Sequence, residues 1–402
     1  MKDLTKGKIS TLILGFAIPV FLGNLLQLTY SLVDTRIVGS FLGEDALAAV
    51  GATSTLSGLI IGFLLGLSNG FAIITAQKFG AKNIADMKKS FAMSLVIGTG
   101  ISILFTIAGL LFLKPILHFL NVPKHLVPVA KGYIAIIIAG LLATFLYDAC
   151  AATLRAIGDA VTPLIILAIS VALNIVGDLF FVVVLKTGVK GAAIATVLAQ
   201  IIAFVICWIY MIRKYEILRL QKEDFKDPSP IMVKEMISAG MSMGFMSSLV
   251  NIGTLTLQTA INKLGKDIII AHTAARKITE IFMIMFSVFG QTMATYCGQN
   301  VGAGKIDRVK RGIWLAIVYT AIWSGLTIIA SYTIGGWLVY LVTGSHNKTV
   351  ILNATNYLKF DTLFYIVTTL ICILRNAMQG LGDHITPLIS SGLEMAGKIV
   401  IA

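Results

Sequence analysis

The sequence predicts an all-α membrane protein that crosses the bilayer many times. Of its 402 residues, 57% are hydrophobic and only 13% are charged, whereas soluble domains carry about 25% charged residues. The apolar residues come in long blocks, and a membrane-spanning helix needs roughly 20 consecutive apolar residues. The strict apolar–polar alternation of a membrane β-barrel is absent, so we expect helices throughout.

Eleven apolar blocks are long enough to be candidate spans. With approximate edges, they lie at 9–33, 46–77, 91–113, 126–152, 161–185, 189–212, 235–262, 268–298, 312–343, 350–378 and from 385 to the end of the chain.

The basic residues are distributed unevenly between the loops. With the N-terminus placed inside, the inside loops hold 19 Lys and Arg residues, counting Arg155 and Arg375, and the outside loops hold 8. Because cytoplasmic loops retain positive residues, this bias predicts a cytoplasmic N-terminus. The net charge of +13 is therefore a topology signal, and we expect membrane lipids, and no nucleic acid, as partners.

Three sequence blocks occur twice in the same order. They are "LGEDALAA" (42–49) with "LGKDIIIA" (264–271), "QKFGAKNIADMKK" (77–89) with "QNVGAGKIDRVKR" (299–311), and "RAIGDAVTPLI" (155–165) with "QGLGDHITPLI" (379–389). Their shifts of 222, 222 and 224 residues are nearly equal, which indicates an internal duplication.

The duplication predicts two lobes. Residues 1–222 hold helices 1–6, and residues 223–402 hold helices 7–11. Six helices is an even number, so the lobes are parallel repeats related by a pseudo-two-fold axis along the membrane normal. Counterparts of residues 179–222 would lie beyond Ala402, so we expect twelve helices in the full protein, about eleven of them here, with helix 12 missing by C-terminal truncation.

The repeated Gly-Asp pairs predict turns. Gly158-Asp159 and Gly382-Asp383 each precede a span, and Gly and Asp are typical turn residues. Pro163 and Pro387 then fall in the first helical turn, where a missing N–H costs little. We expect these motifs to be structural.

Polar residues form stripes at helical spacing in three spans of the first half. The stripes are Asn24, Gln27, Ser31 and Asp34 in span 1, Asn174 and Asp178 in span 5, and Thr196 and Gln200 in span 6. Residues three or four apart share one face of a helix, so the stripes can converge on a polar cavity. We expect Asn24, Gln27, Ser31 and Gln200 to line a substrate cavity there.

The two acids are candidates for binding a coupling ion. An ionisable residue inside a span is costly and marks function by default, and Asp178 has apolar residues on both sides. Two neighbouring carboxylates can share a proton or a cation. We therefore expect H⁺ or Na⁺ at Asp34 and Asp178. An exposed Asp34 at the end of span 1, close to Arg36, is the alternative.

The second half does not repeat this site, because Asp34 and Asp178 align with Thr256 and Ala402. Its own charges include two pairs spaced i, i+4, which either form local ion pairs or bind substrate: Arg276 with Glu280, and Glu394 with Lys398.

Three further residues have possible roles in substrate binding or movement. Met243 and Met246 lie in a Met-rich span 7, and flexible thioethers either line a cavity for varied ligands or simply fill gaps. Pro19 lies inside span 1, where it removes a backbone hydrogen bond, so we expect a conformational hinge there.

Several stretches together resemble the multidrug and toxic compound extrusion (MATE) family. They are "VDTRIVGSFLGEDALAAVG", "GQNVGAGK", "LRAIGDAVTP" and "LNIVGDLFF". The resemblance covers essentially the whole chain. It implies twelve helices in two six-helix lobes, and a location in the bacterial or archaeal plasma (inner) membrane.

The resemblance also implies an activity and site residues. Members export organic, often cationic, compounds in exchange for H⁺ or Na⁺ by alternating access. In the prokaryotic branch with an N-lobe cation site, the coupling residues correspond to Asp34, Asn174, Asp178 and Thr196, and the bending proline to Pro19. A second branch uses an acid in helix 7, and span 7 has none in its apolar part.

We therefore expect a secondary active transporter that binds small-molecule drugs or organic cations, works as a monomer and needs no cofactor beyond its coupling ion. "GAGK" (302–305) lacks the spacing of a phosphate-binding loop, so no nucleotide site is expected. No nucleophile–base pair or metal-ligand cluster indicates an enzyme.

Two alternative functions remain. A branch of the same superfamily flips lipid-linked oligosaccharides and often places several cationic side chains in the cavity, whereas the first-half spans carry only Arg36, near an end. A channel or non-transporting receptor is the other alternative, against which the asymmetric acid site argues.

Overall fold

The computed structural model describes residues 3–120, 122–261, 265–344 and 347–401. Fifteen α-helices account for most of these residues, which contain no β-strand. The first eight are α1 Ile9–Leu42, α2 Glu44–Gly80, α3 Ile84–Leu111, α4 Leu113–Phe119, α5 Val127–Ala139, α6 Leu141–Ala156, α7 Val161–Asp178 and α8 Val189–Lys214. The others are α9 Pro230–Ile261, α10 Lys266–Gly302, α11 Ile306–Thr333, α12 Gly335–Thr343, α13 Lys348–Leu363, α14 Tyr365–Leu381 and α15 Ile385–Ile401.

Each of the eleven predicted blocks is helical over most of its described residues, while residues 262 and 402, at the ends of the seventh and eleventh blocks, lie outside the described ranges. The predicted all-α polytopic fold class is confirmed. Within the described ranges, seven single helices are long and apolar enough to cross a membrane, and nine segments are if each bent pair is one span. The two remaining blocks lie in α9, whose second part is rich in Ser, Thr, Asn and Gln, and in α15, which has 17 residues.

Three blocks are interrupted in ways that hydropathy did not indicate. The fourth block bends by 43° between α5 and α6, and the tenth bends by 51° between α13 and α14. The ninth ends α11 at Thr333 and continues as α12. The breaks fall at Gly140, Ile334 and Phe364, inside apolar runs, so composition alone does not reveal them.

The chain forms two compact units whose boundaries cut through two helices. Unit 1 contains Leu22–Ser248, and unit 2 contains Leu4–Phe21 together with the chain from Leu249 onward. Residues 9–21 of α1 therefore belong to unit 2, and 22–42 to unit 1. In α9, residues 230–248 belong to unit 1 and 249–261 to unit 2. The predicted division at residue 222 follows the sequence repeat and stays a prediction.

Unit 1 is centred on α2. The side chains of Phe63, Leu64, Leu67 and Phe71 are buried there against α3, α5, α6 and the first part of α9. Glycine brings α9 close: a Cβ atom at Gly70 would lie 2.4 Å from a backbone oxygen of α9. Small residues allow such close backbone approach between membrane helices.

Unit 2 repeats this arrangement with α10 at its centre. α10 packs most extensively against α14, and also against α11 and α13. In the repeat, α10 and α14 correspond to α2 and α6, which also pack against each other. A Cβ atom at Gly380 of α14 would lie 2.6 Å from Ala294 O, so the unit is again built on close glycine contacts.

Both predicted Gly-Asp turns are present. Gly158 and Gly382 have φ of 82° and 97°, a left-handed conformation that glycine adopts without strain. Asp159 accepts hydrogen bonds from Thr162 N at 3.0 Å and from the hydroxyls of Thr162 and Tyr215, each at 2.6 Å. Asp383 accepts bonds from the backbone N–H groups of residues 385 and 386. These motifs therefore start α7 and α15, as expected.

Candidate functional site

The two acids of the first half meet inside unit 1. Asp178 ends α7 and is fully buried, and Asp34 approaches it from the later part of α1. Their carboxyl groups are within hydrogen-bonding range of each other. The Oδ1 atom of each has no other partner in the described part of the chain. Two bare carboxylates at this range repel, and a shared proton or cation removes the repulsion.

Asn174 connects Asp178 to α8. With its amide nitrogen facing the acid, Nδ2 lies 3.0 Å from Asp178 Oδ2, and Oδ1 lies 3.1 Å from Thr196 N and 3.2 Å from Thr196 Oγ1. The reversed amide bonds Thr196 Oγ1 through Nδ2, also at 3.2 Å. The first orientation satisfies both neighbours, because the reversed one points an amide oxygen at a carboxylate. The amide thus fixes one side of Asp178.

The polar stripes converge on a small cavity beside these residues. Its volume is about 40 Å³. Its polar lining consists of Gln27 and Tyr30 from α1, Ser170 and Asn174 from α7, and Thr196 and Gln200 from α8. A liquid water molecule occupies about 30 Å³, and drug-sized pockets measure about 300–1,000 Å³. The cavity therefore has room for water or a small ion.

The backbone is irregular directly after Asp178. Residues Leu179–Val184 form a π-helix, in which Leu185 N donates to Phe180 O at 2.9 Å. Short π-helical stretches are rare and often occur at functional sites.

Sequence reasoning missed three residues of this site. Tyr30 donates to or accepts from Thr196 Oγ1 at 3.3 Å, and Ser170 lines the cavity. Tyr133 of α5 lies close enough to interact electrostatically with both acids. The spacing of Tyr30, three residues after Gln27 and four before Asp34, was a usable signal. Tyr133 lies in another helix, so no sequence spacing links it to the site.

Four predicted cavity residues of the first half and span 7 lie outside this lining. Asn24 is half-buried and Ser31 is exposed on α1. Met243 is 5% exposed, and its backbone oxygen faces Gly66 of α2, which is a packing position. Met246 is half-buried. A substrate-binding role for these four residues stays a prediction.

Of the two alternatives for Arg276 and Glu280, a local ion pair or substrate binding, the structure does not show the ion pair. Glu280 is exposed and pairs with Lys277, whose Nζ lies 3.3 Å from its Oε2. Arg276 instead lies close enough to Tyr357 and Asp361 of α13 to interact with both electrostatically. The side chains on this face of α10 turn toward α13, where an acid is available, and leave Glu280 to its neighbour. The substrate role of Arg276 and Glu280 stays a prediction.

Glu394 forms the expected pair and a second one. Its Oε1 accepts from Lys398 Nζ at 2.8 Å, and its Oε2 accepts from Arg375 Nη1 at 2.7 Å. Arg375 therefore lies inside α14 and not in a loop. Arg155 likewise lies in α6, where it donates to Asn69 Oδ1 of α2 at 3.2 Å. Both arginines were counted with the inside loops; they lie within helices, Arg155 in the last turn of α6 and Arg375 in α14, and the side of the membrane that they face stays a prediction.

Pro19 lies inside a continuous α1, two residues before the end of the part that belongs to unit 2. Asp34 follows in the part that belongs to unit 1. The predicted hinge is thus close to the point where α1 passes from one unit to the other.

Residues 19–180 and 242–402 each match the MatE family model. The chain belongs to the MatE family. The probable multidrug resistance protein YpnP of Bacillus subtilis is 29% identical over 391 residues, which cover 96% of this chain and 86% of that protein. An FAD transporter of Shewanella oneidensis is 21% identical over 82% of this chain and 74% of its own length.

The fold comparison agrees with the family. A MOP superfamily transporter from Pyrococcus furiosus superimposes with a TM-score of 0.91 at 21% identity, covering 98% of this chain and 87% of that one. The MatE chain described here is therefore a multi-pass membrane protein with the fold of the MATE transporters.

Proposed function

We propose that this MatE protein is a secondary active multidrug exporter that moves organic, often cationic, compounds out of the cell in exchange for H⁺ or Na⁺ by alternating access. The observation that carries the proposal is the contact between the Asp34 and Asp178 carboxyl groups. Family membership and the multidrug resistance relative support the transport activity.

The chemistry follows from the charge of the pair. Without a bound cation, two adjacent carboxylates in an apolar helix bundle repel each other. H⁺ or Na⁺ entering from outside removes that repulsion. Asn174 holds Asp178 in place through its amide N–H. When the repulsion between the carboxylates is removed, it is therefore Asp34, with the part of α1 that carries it, that moves.

The drug binds outside the small polar cavity beside Asp34 and Asp178. A cavity of about 40 Å³ accepts an ion but no drug-sized molecule. Cation binding therefore acts on the drug through the position of α1: it rearranges the helix, weakens drug binding and releases the drug outside. Rebinding of drug from inside then accompanies release of the cation.

The choice of coupling ion is open to direct measurement. Carboxylate and hydroxyl oxygens suit Na⁺, and the same carboxylates accept H⁺. Purified protein in proteoliposomes should move a fluorescent organic cation under an imposed pH gradient or an imposed Na⁺ gradient, applied separately. Movement under neither gradient would contradict coupled export.

The site itself is tested with Asp34→Asn and Asp178→Asn. Both should lose gradient-driven transport, because the amides can no longer take up a cation. Asp86→Asn is the matched control, since Asp86 is a half-exposed acid in the α2–α3 region that pairs with Lys78 at 3.9 Å. Full transport by both site variants would refute the coupling role.

The substrate panel should include a dinucleotide as well as organic cations. One relative is named as an FAD transporter, and unit 2 carries cationic side chains inside its helices, among them Arg276 and Arg375. The same cations keep lipid-linked oligosaccharide flipping as the second candidate. A chain that moves a labelled lipid-linked sugar but no drug would favour it.

A further inference from the structure

The N-terminal segment Leu4–Gly7, called the strap below, is bound along its backbone by unit 2. Leu4 and Thr5 are 1% and 5% exposed. Leu4 N donates to Gln299 Oε1 at 2.9 Å. Leu4 O accepts from Asn300 Nδ2 and Arg308 Nη2, each at 3.3 Å. Both backbone groups of Leu4 are thus satisfied by side chains nearly 300 residues away.

The rest of the strap is bound by residues from the turn between α10 and α11 and from the start of α11. Lys305 Nζ donates to Thr5 O at 2.8 Å, and Arg308 Nη1 donates to Gly7 O at 3.0 Å. Arg308 Nε also bonds Asn300 Oδ1 at 3.1 Å. Gln299, Asn300, Lys305 and Arg308, called the clamp below, thus form a set of donors and one acceptor around the backbone of the strap, which is a turn followed by a bend. Bonds from charged donors are the stronger ones.

The clamp is a specialised feature of the second half. In the first half, the positions of Asn300 and Arg308 are occupied by Lys78 and Asp86, which pair with each other at 3.9 Å. The segment before α9 is reached there by Lys89 Nζ, at 3.5 Å from Asp227 O. Gln77 and Gln299 occupy the same position in the repeat, so both halves share this helix–turn–helix segment. The cationic donors Lys305 and Arg308 are present only in the second half.

The strap leads directly into the divided helix. Gly7 has φ of 89°, which turns the chain from the strap into α1 at Ile9. Residues 4–21 belong to unit 2, while Asp34 lies in the part of α1 that belongs to unit 1. One end of α1 is therefore held by the clamp, and the other carries the acid that meets Asp178.

We propose that the clamp is a permanent anchor for the start of α1. It stays closed through the transport cycle and keeps residues 4–21 on unit 2, so that movement of α1 is confined to the stretch from Pro19 toward Asp34. A strap that opened in each cycle would have to expose the buried Leu4 and break several charged hydrogen bonds. The inference rests on the proposed export function for its transport readout, but the anchor itself is measurable without transport.

The first test removes the clamp. Asn300→Ala/Arg308→Ala should raise deuterium uptake of residues 4–12 and lower proteoliposome transport at least tenfold. Arg311→Ala is the matched control, because Arg311 is an exposed cation of α11 three residues after Arg308; it should change neither. Unchanged deuterium uptake, or raised uptake with full transport, would overturn the anchor.

The second test closes the strap covalently. Lys6→Cys/Lys305→Cys, in a background without the four native cysteines, is linked by a flexible bis-maleimide, with a monofunctional maleimide as control. Because Lys305→Cys itself removes one clamp donor, the control should transport less than the unaltered protein; the linked protein should transport at least as well as the control, and the link should restore transport when Arg308→Ala is added. Loss of transport on linking alone would show that the strap must open, and failure of the rescue would show that Arg308 acts in another way.

The two hypotheses fail in different ways. If the unaltered protein moves no substrate under any gradient, the proposed function fails, while strap protection in deuterium exchange still tests the anchor.

Discussion

Asp178 is tolerated inside an apolar helix because neighbouring polar groups provide the interactions that its carboxyl group would otherwise make with water. Asn174 gives it an N–H donor, and the carboxyl group of Asp34 lies beside it, with which it would share a cation in the proposed cycle. The i, i+4 spacing in one helix made the Asn174 contact predictable. The contact with Asp34 depends on how two helices pack, so the sequence could only suggest that their stripes converge.

Removing the amide should weaken coupling. Asn174→Ala takes away the donor to Asp178 Oδ2, and a hydrogen bond to a charged group is worth about 1.5–3 kcal/mol. We expect transport to fall by about tenfold or more. Ser170→Ala, on the same helix and the same cavity, is the comparison and should cost less. If the two variants lowered the initial transport rate equally, the hydrogen bond from the Asn174 side chain to Asp178 would not be the cause of the loss.

Asp159 should stabilise the fold in a pH-dependent way. Burial raises its pKa, but the hydrogen bonds from Thr162 and Tyr215 outweigh this and hold the pKa of the carboxyl below its usual range. Because the folded-state pKa is lowered, the contribution is present above the unfolded pKa of about 3.9 and is lost as pH falls through the folded value.

Asp159→Asn should therefore lower the melting temperature in detergent at neutral pH, by the equivalent of about 1–3 kcal/mol, and the difference from the unaltered protein should shrink below about pH 4. Asp383→Asn is the comparison. The pKa of Asp383 is also lowered, first by its bond to Thr386, but this acid is more exposed and should matter less. A pH-independent loss at Asp159 would contradict the assignment.

At the level of elements, α2 and α9 depend on glycine for their contact. Gly70→Ala would place a Cβ 2.4 Å from Ala239 O, and forcing extra atoms into a packed interface typically costs about 1–3 kcal/mol. Gly100→Ala in α3, where no atom lies within 4 Å, should be neutral or stabilising by up to about 1 kcal/mol. Similar melting temperatures for the two variants would contradict this packing.

Helix positions were predictable and helix interruptions were not. Every apolar block is helical because hydropathy and length specify a span. The breaks at Gly140 and Phe364 lie within continuous apolar sequence, and they depend on packing inside each unit. The strap was also out of reach, since it is defined by partners on α10 and α11 that no local pattern connects to residues 4–7.

At the level of the whole molecule, the charge bias predicts which side each loop faces. Ala81 lies between α2 and α3, and Lys124 lies between α4 and α5; both are exposed. In a background without native cysteines, Ala81→Cys should react with a membrane-impermeant maleimide only in inside-out vesicles. Lys124→Cys should react in intact cells. The opposite pattern would reverse the predicted N-terminal orientation.

The repeat predicted two halves, and the structure adds that compactness does not follow the repeat. The duplicated blocks identify homologous helices, such as α2 with α10. Nevertheless, the first part of α1 belongs to unit 2 and the first part of α9 belongs to unit 1. Packing is decided by which surfaces meet and not by which residues share ancestry.

The early position of the strap in the chain has a consequence for biosynthesis. Residues 4–21 leave the ribosome well before the groups that bind the strap, on α10 and α11, which follow the strap by 295 or more residues. Domains tend to fold in order of synthesis, but here α1 enters the membrane without its native neighbours in unit 2. Unit 2 therefore completes its packing around a segment made much earlier, and residues 4–21 take their final position only after α10 and α11 have been made.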